Sequence, residues 1–599
     1  MSDGTNDLAL ADLDALRPAP LDPGVWDSNL RALRACDPAL ADRLAAARIP
    51  GEWTPALALD DSPTWRLERP GEPARWLAGA AAPRTRARAL LAQAQPTALN
   101  WALPTIGCGA ELTELLDRLS RRQAVFVFEH EASQLGAVLR RIDLSDALRA
   151  GRCRLAPPGA ETERFLALLA ERPGLLPPGR LLQVPDVSEE RMAEVRAACE
   201  RISREIGAAR RTRLEQRGRA PALPSEPVDG ARLALLAPRP DRTALRAARS
   251  LEEAAQRLGW PCLSWLADTP EQAGALPFIE AAVEFQPTLS IVLGPGGESV
   301  PVELLGRHCQ FVPDANAFRE TDALAGAIAL PASPAVREML RNRGQAFSRV
   351  IEFYWAAPLE RPARVAAGGP VCVVADRADL RAEAVGLTQP THRRLWDHVG
   401  KLAGQLRSRP NSLGAEMLLK RAERETGFAL RDAQLRRQAL RAIDWRVVPT
   451  LAAEGARERL IEHGFEVRVV GRGWPQGVDA VANVVEVSDG APLAAVFPTR
   501  PDPLSEPLLS AVAAGCPVFI QRSPLGGVNA GLGGVLREPE HLVAFDSDRE
   551  LTTGLRSLAQ GAGAQKRALR AADHLRAHHT HAARLRELRS ALATTGAQT

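Results

Sequence analysis

The side chains best suited to chemistry lie where a predicted strand ends and a short predicted helix begins, in LAAVFPTRPDPLSEPLLSAVAAGCPVFI (493–520). Ser505 is a favoured helix N-cap residue, and the Glu-Pro pair that follows it suits a first turn. The unbonded N–H groups of that turn would attract a diphosphate, and the guanidinium of Arg500 matches phosphate oxygens. The pattern predicts a phosphate site with a carboxylate beside it, Glu506 or Asp502, that accepts hydrogen bonds from ribose hydroxyls.

Two glycine-rich segments are predicted to reach the same edge of the sheet. Gly471 and Gly473 end the predicted strand FEVRVVGRGW, and Gly526 and Gly527 belong to the loop SPLGGVNAGLGG. Glycine lets a backbone approach a ligand closely, so we expect both segments to contact the ligand. The alternatives are a plain turn with a tryptophan in the core for the first, and a flexible surface loop for the second. The second segment lacks the Gly-Lys-Ser/Thr ending of a P-loop.

The elements around these residues alternate strand and helix, which predicts parallel, doubly wound sheets. A chain of 599 residues is also too long for a single core. The predicted organisation is a mixed helical and irregular region at 1–95, a Rossmann-like domain with a trailing helix at 96–219, a linker at 220–230, and further Rossmann-like domains at 231–365 and 366–599. A long basic helix, from about 565 to 592, is expected to finish the last domain.

The joint order of GRGW, SEPLLSAVAAG and HTHAAR resembles the C-terminal half of GT-B glycosyltransferases, in particular the spore-maturation (CgeB-like) group. That group ends in His-Thr-Tyr-x-x-Arg, carried here by His579, Thr580 and Arg584, with His581 in place of the tyrosine. The resemblance implies an α/β GT-B fold: two facing Rossmann-like doubly wound domains, a C-terminal closing helix, and here an additional Rossmann-like N-terminal domain. It further implies an acceptor-side domain followed by a donor domain. We expect the histidines to start a helix and pack, rather than to bind metal or catalyse.

The implied activity is transfer of a sugar from a nucleotide-diphosphate sugar to a protein or surface-glycan acceptor, with no cofactor and no bound metal. Retaining GT-B enzymes often carry a glutamate directly before Ala-Met-Ala-x-Gly, where this chain has Ser510. We therefore assign the ribose contact to Glu506, one turn earlier; the alternative is a first-turn residue with only a dipole role. Candidate catalytic bases in the acceptor-side domain are Asp314, Asp322 and His308, which the sequence does not rank.

The first α/β unit carries a weaker, dinucleotide-type pattern. Gly107 and Gly109 precede a predicted helix, and Glu129 follows about twenty residues later, a spacing that suits a ribose contact. Glu111 replaces the third glycine. TIGCGAELTELL, FVFEHE and RIDLSDAL together resemble the N-terminal part of motility-associated (Maf-like) flagellin glycosylation proteins. The rival functions are an S-adenosylmethionine-dependent methyltransferase in this region and a degenerate, non-catalytic GT-B scaffold.

Composition excludes several other classes. The net charge of +4, from 76 basic and 72 acidic residues, gives no support for coating a nucleic acid. The eight cysteines are scattered without a C-x-x-C pair, which argues against a zinc site. Their pattern favours reduced thiols and therefore a cytoplasmic location. The N-terminus lacks a signal-peptide core, and no run approaches the roughly 20 apolar residues of a membrane span.

Overall fold

The computed structural model describes residues 17–596, apart from 69, 72–73, 78–80, 94–98, 217–230, 239–241, 295–306, 313–326, 344–346, 348, 355, 357–368, 379–388, 406–413, 472, 476–477, 479, 482–491, 499–503, 523–531, 533 and 561–562. The chain forms two compact units. The first comprises Met1–Leu223 with Trp265–Gln286, and the second comprises Pro224–Ser264 with Pro287–Thr599.

The first unit begins with helices and a small antiparallel sheet. The helices are Pro23–Cys36, Pro38–Ala46 and Pro83–Gln93. The strands, in spatial order, are β1 Arg17–Pro18, β2 Trp53–Leu57, β3 Pro63–Leu67 and β4 Arg75–Trp76. The carboxylates of Asp22 and Asp37 accept from backbone N–H groups at the starts of the first two helices, each followed by the proline that a first turn favours.

A parallel four-stranded sheet follows in the same unit. Its strands are β5 Asn100–Leu103, β6 Val125–Val127, β7 Cys153–Leu155 and β8 Pro178–Leu181, in the order β7-β6-β5-β8. Its helices are Ala110–Arg118, Ala132–Leu139, Ser145–Arg149, Glu161–Glu171 and Glu189–Gln216. Val125 and Val127 pack into one core and Phe126 into the other, so both faces of the sheet are covered.

The second unit contains two six-stranded sheets. With the parallel sheet of the first unit counted as the first sheet, the sheet made of β9 to β14 is called the second sheet and the sheet made of β15 to β20 the third sheet. The order in the former is β10-β9-β11-β12-β13-β14, and in the latter β17-β16-β15-β18-β19-β20. The strands of the second sheet are β9 Leu233–Ala237, β10 Cys262–Leu266, β11 Leu289–Leu293, β12 Arg307–Val312, β13 Ile328–Pro331 and β14 Arg349–Val350. The strands of the third sheet are β15 Val371–Val374, β16 Val467–Val470, β17 Ala480–Val481, β18 Ala494–Phe497, β19 Val518–Gln521 and β20 Val543–Phe545. The described pairings of β15 to β20 are all parallel.

Helices connect these strands. In the second sheet these helices are Arg242–Arg257 and Pro334–Arg343. The helix Leu276–Phe285 and the 3-10 turn Pro270–Gln272, which follow β10 in the sequence, belong to the first unit. Those of the third sheet are Pro390–Gln405, Ala415–Thr426, Ala433–Ala442, Val448–Glu462, Glu506–Ala513, Asp548–Gln560, Gly563–His578 and His581–Gly596. The segment WRVVPTL (445–451) is helical: a π-helical turn at Ile443–Val447 leads directly into Val448–Glu462.

The predicted C-terminal helix is two helices, a correction to the expected single element. Gly563–His578 ends just before Thr580, whose hydroxyl accepts from Ala583 N at 3.3 Å and so starts His581–Gly596. The second of the two packs against Arg242–Arg257 of the second sheet. The two doubly wound sheets and the helix His581–Gly596, which returns from the third sheet to the second and is called the returning helix below, confirm the GT-B fold class. The parallel sheet of the first unit confirms the additional Rossmann-like domain. Within the described part of the chain, no helix has the length and apolarity needed to cross a membrane.

Candidate functional site

The carboxyl edge of the third sheet brings together the loops predicted to bind a ligand. The chain runs from β15 outward to β16 and β17, then returns to place β18 on the other side of β15. This reversal is a topological switch point, where the loops after neighbouring strands separate and leave a crevice. The helix Glu506–Ala513 begins after β18, so its first turn lies at that crevice.

The GRGW glycines lie where two loops of this edge touch. Gly471 and Gly473 have φ values of 147° and 79°, and a Cβ atom would lie 2.2 Å and 2.1 Å from the carbonyl oxygens of Ala375 and Arg377. Trp474 Nε1 donates to the Ala375 carbonyl at 2.9 Å, and its ring packs against the core of the sheet. The close approach is thus made by the backbone of the neighbouring loop, while contact of these glycines with a ligand stays a prediction.

Replacement of Gly471 by alanine should lower the free energy of unfolding by about 3 kcal/mol, because the new methyl group would collide with a backbone carbonyl. Denaturant unfolding of the full chain measures the loss. Gly464→Ala is the matched control: Gly464 has φ of 83°, but a Cβ there meets nothing within 4 Å. That control should lose only the backbone cost of about 1 kcal/mol, and equal losses in the two variants would contradict the explanation.

The first turn of Glu506–Ala513 holds a carboxylate between two partners. Glu506 Oε1 accepts from Ser510 Oγ at 2.9 Å, and Arg246 Nη1 lies 3.5 Å from both carboxylate oxygens. The Glu506 side chain is only 12% exposed, so its position is set by these contacts more than by solvent. Ser510 therefore donates a hydrogen bond to the carboxylate one turn before it.

The N-cap residue of this helix does not cap it with its side chain. Ser505 has the extended backbone of an N-cap, with φ −138° and ψ 158°, but its Oγ makes no hydrogen bond to the first turn. That oxygen is buried and has no hydrogen-bond partner among the described residues. The hydroxyl lies at the helix start beside the N–H groups of the first turn, and its contact with a ligand stays a prediction.

The ion pair of Arg246 and Glu506 joins two sheet edges within the second unit. Arg246 lies near the start of Arg242–Arg257, the helix that follows β9, and Glu506 starts the helix that follows β18. Both helix starts lie at the carboxyl edges of parallel strands, so these edges of the second and third sheets lie beside each other. This pair could not be predicted from the sequence, because the two residues are 260 positions apart.

A second arginine at the carboxyl edge of the third sheet, Arg522, was not predicted from the sequence either. Arg522 directly follows β19, and its guanidinium lies 2.6 Å from both Asp546 and Glu538. The hydrogen bonds that Arg522 donates to these two carboxylates raise its pKa. A basic residue at the carboxyl end of a parallel strand was the available signal.

The C-terminal histidines form a packed patch with His541. Ring centroids are 4.4 Å apart for His541 and His574, and 5.1 Å apart for His574 and His579. Burial lowers the pKa of His579 to about 4, and the neighbouring Arg584 adds to the effect. Among the described residues, no group of histidine, cysteine, aspartate and glutamate has an arrangement that would hold a metal ion. The patch agrees with the packing role expected from the sequence.

His581 should make stability fall in mild acid. Burial lowers its pKa to about 4, with a smaller contribution from Arg584, so as the pH falls the unfolded chain takes up the proton first. Stability from this group is complete above about pH 6.5 and is lost toward pH 4, by roughly 3 kcal/mol at most. Denaturant unfolding of the wild type and His581→Phe, measured from pH 7.5 to 4.5, checks this. Parallel curves over that range would contradict the assignment.

Other predicted residues have less favourable or undescribed positions. Arg500, Asp502, Gly526, Gly527 and the candidate bases Asp314 and Asp322 lie outside the described residues. The remaining candidate base, His308, is the second residue of β12 and pairs in register with Ser290. It therefore lies toward the amino end of its strand, away from the carboxyl edge, and its role as base stays a prediction.

In the first unit, the residues of the dinucleotide-type pattern make their contacts with other residues of the protein. Glu129 is fully buried; its Oε2 accepts from Thr105 Oγ1 at 2.6 Å and from Ile106 N at 3.0 Å, and its Oε1 accepts from Glu131 N at 3.0 Å. A Cβ on Gly109 would lie 2.4 Å from Ile142 Cδ1, so that glycine is needed for packing. These contacts weigh against the ribose role proposed for Glu129 and against the methyltransferase function that depends on it.

Residues 450–590 match the family model described as Glycosyl transferase-like. The matched span contains β16 to β20, the helix Glu506–Ala513 and most of the two C-terminal helices. The match therefore covers the third sheet from β16 onward, including the helix Glu506–Ala513, while β15 lies before the matched residues.

Several solved structures are similar at low identity. A MAf glycosyltransferase from Magnetospirillum magneticum AMB-1 is 14% identical with a TM-score of 0.23, over 56% of this chain and 57% of that one. A glycosyltransferase from Rickettsia africae ESF-5 is 8% identical with a TM-score of 0.31, over 61% and 98%. The glycosyltransferase SnogD from Streptomyces nogalater is 13% identical with a TM-score of 0.24, over 61% and 100%. This chain thus spans just over half the length of the Magnetospirillum protein, and a comparison with curated proteins found no match.

Proposed function

We propose that the protein is a GT-B glycosyltransferase of the CgeB-like group, which moves a sugar from a nucleotide-diphosphate sugar to a protein or surface-glycan acceptor. The observation that carries the proposal is the Glu506 carboxylate, held by Ser510 and Arg246 at a switch-point helix start inside the segment that matches a glycosyl transferase-like model. A carboxylate beside an anion-binding helix start suits a ligand that has both hydroxyl groups and a diphosphate.

In this proposal the third sheet binds the donor and the second sheet faces the acceptor. The N–H groups of the first turn of Glu506–Ala513 and the guanidinium of Arg500 stabilise the negative charge that develops on the leaving diphosphate. Glu506 accepts hydrogen bonds from the ribose hydroxyls, and the Ser505 hydroxyl lies close enough to the helix start to assist. No bound metal and no cofactor are required, because the helix and the arginine supply the positive potential. A cytoplasmic location belongs to the same proposal.

Isothermal titration of the full chain with UDP- and GDP-linked sugars tests donor binding. We expect at least one of them to bind, with competition by the free nucleoside diphosphate. Absence of binding to every nucleotide sugar by a folded protein would overturn the proposal. Measurement of donor hydrolysis or transfer then separates an enzyme from the rival scaffold, since a scaffold would bind without releasing nucleoside diphosphate.

A further inference from the structure

A cavity of about 280 Å³ lies at the carboxyl edge of the first sheet, in a part of the molecule that the proposed glycosyl transfer does not use. Its walls include Thr105 and Gly107 after β5, His130 after β6, and Asp186 and Ser188 after β8. In the order β7-β6-β5-β8 the chain reverses between β5 and β8, so the cavity lies at the switch point of this sheet. Open parallel sheets bind their ligands at this place.

The place where a dinucleotide phosphate would bind is already occupied by a side chain. Glu111, in the first turn of Ala110–Arg118, is 3% exposed and lines the cavity. Its carboxylate lies at the positive end of the helix, where it would repel a phosphate group. The fully buried Glu129 adds a second carboxylate behind the Thr105 loop. The cavity is therefore unsuited to phosphate.

Two arginines, Arg86 and Arg191, line the cavity, and the first of them contacts two carboxylates. Arg86 Nη2 lies 2.7 Å from Glu111, and its Nη1 contacts Asp186. Burial acts to lower the pKa of Arg86, but the two carboxylates outweigh burial and raise it. Asp186 is the more accessible of the pair, with a side chain 36% exposed against 4% for Glu111.

The second arginine, Arg191, also lies between two carboxylates. Arg191 Nη1 lies 3.1 Å from Glu194, and its Nη2 lies 3.6 Å from Glu161. Four carboxylates thus surround two guanidinium groups at and just behind the cavity wall. Because opposite charges attract most strongly where water is partly excluded, this excess of carboxylates favours a positively charged ligand.

We propose that the cavity binds an amino sugar, a single sugar ring with a positively charged amine and no phosphate, with its ammonium group against Asp186. Pockets for drug-sized ligands begin at roughly 300 Å³, so the cavity suits a single sugar ring better than a nucleotide sugar. His130, Gln134 and Ser188 add imidazole, amide and hydroxyl groups to the wall, which suit the hydroxyls of such a ring. The inference does not depend on the proposed glycosyl transfer.

Titration of the full chain with glucosamine, N-acetylglucosamine, glucosamine 6-phosphate and S-adenosylmethionine tests the ligand class. We expect glucosamine to bind at least tenfold more tightly than N-acetylglucosamine, which lacks the positive charge, and than the 6-phosphate, which adds a negative group. Equal binding of the two unphosphorylated sugars, or no binding of glucosamine, would overturn the proposal. Preference for the phosphate or for S-adenosylmethionine would also overturn it, because the ligand would then belong to another class.

The Asp186→Asn variant tests the assigned contact. It should lose at least tenfold in affinity for glucosamine, while the thermal unfolding midpoint shows whether it folds. Asp146→Asn is the matched control, since the Asp146 side chain is 96% exposed in the same unit and does not line the cavity. Wild-type affinity in a folded Asp186→Asn variant would refute the contact. If that variant does not fold, the comparison of ligands on the wild type decides the proposal by itself.

Discussion

Replacement of Glu506 by glutamine should weaken binding of a nucleotide-diphosphate sugar by about 10- to 100-fold, because hydrogen bonds to a charged group contribute roughly 1.5–3 kcal/mol. The substitution keeps the shape of the side chain and removes the charge of the carboxylate, which in the proposed site accepts hydrogen bonds from the ribose hydroxyls. Isothermal titration with the donor that the wild type prefers measures the loss. Glu462→Gln is the matched control: Glu462 is exposed at the end of Val448–Glu462 and should leave affinity unchanged.

Arg246→Gln separates the two contacts that Glu506 makes. This variant removes the ion pair but leaves the carboxylate and its hydrogen bond from Ser510. We expect a smaller loss of donor affinity than in Glu506→Gln. Equal losses would mean that Glu506 acts by holding the two sheet edges together rather than by touching the donor, and unchanged binding in Glu506→Gln would remove it from the site.

Moving the carboxylate one turn along the helix should restore donor binding. Glu506→Ala is expected to lose affinity, and the double variant Glu506→Ala/Ser510→Glu should recover most of the loss. Ser510 is 1% exposed and its hydroxyl already reaches the Glu506 carboxylate at 2.9 Å, so a longer side chain at 510 enters the space that the first substitution vacates. The same titration measures all three proteins.

Ser510→Glu alone is the control for this exchange. It would place a second carboxylate beside Glu506, and the repulsion between like charges should lower its thermal stability relative to the double variant. A double variant that folds yet binds no better than Glu506→Ala would contradict the assignment of one shared role to the two positions.

The parts of the fold that the sequence predicts are those with uninterrupted patterns. The apolar run at β9 and the strand-helix-strand pattern around Glu506–Ala513 are local signals, and the structure confirms both. The short strands β8 and β13 were not predicted, since each has four residues and includes a proline, which is typical of a loop. Their pairing is decided by neighbours that are distant in sequence.

The candidate site was only half predictable for a related reason. The first-turn position of Glu506 follows from its own neighbours in sequence, but its partner Arg246 comes from another sheet 260 positions away. The glycines of GRGW show the opposite limit. The sequence indicates a close approach at these glycines, but it does not reveal that the groups they approach are the carbonyls of Ala375 and Arg377.

The returning helix has a consequence for the order in which the protein can complete its folding. Arg307 Nη1 donates to the Leu592 carbonyl at 2.9 Å across a separation of 285 positions, and Arg589 lies over the ring of Trp260. While the ribosome translates the intervening segment, the surface of the second sheet that His581–Gly596 will cover is exposed to water and to chaperones. A nascent chain that stalls before that helix therefore lacks these contacts, and the helix Arg242–Arg257 and the ring of Trp260 stay uncovered until the last residues are made.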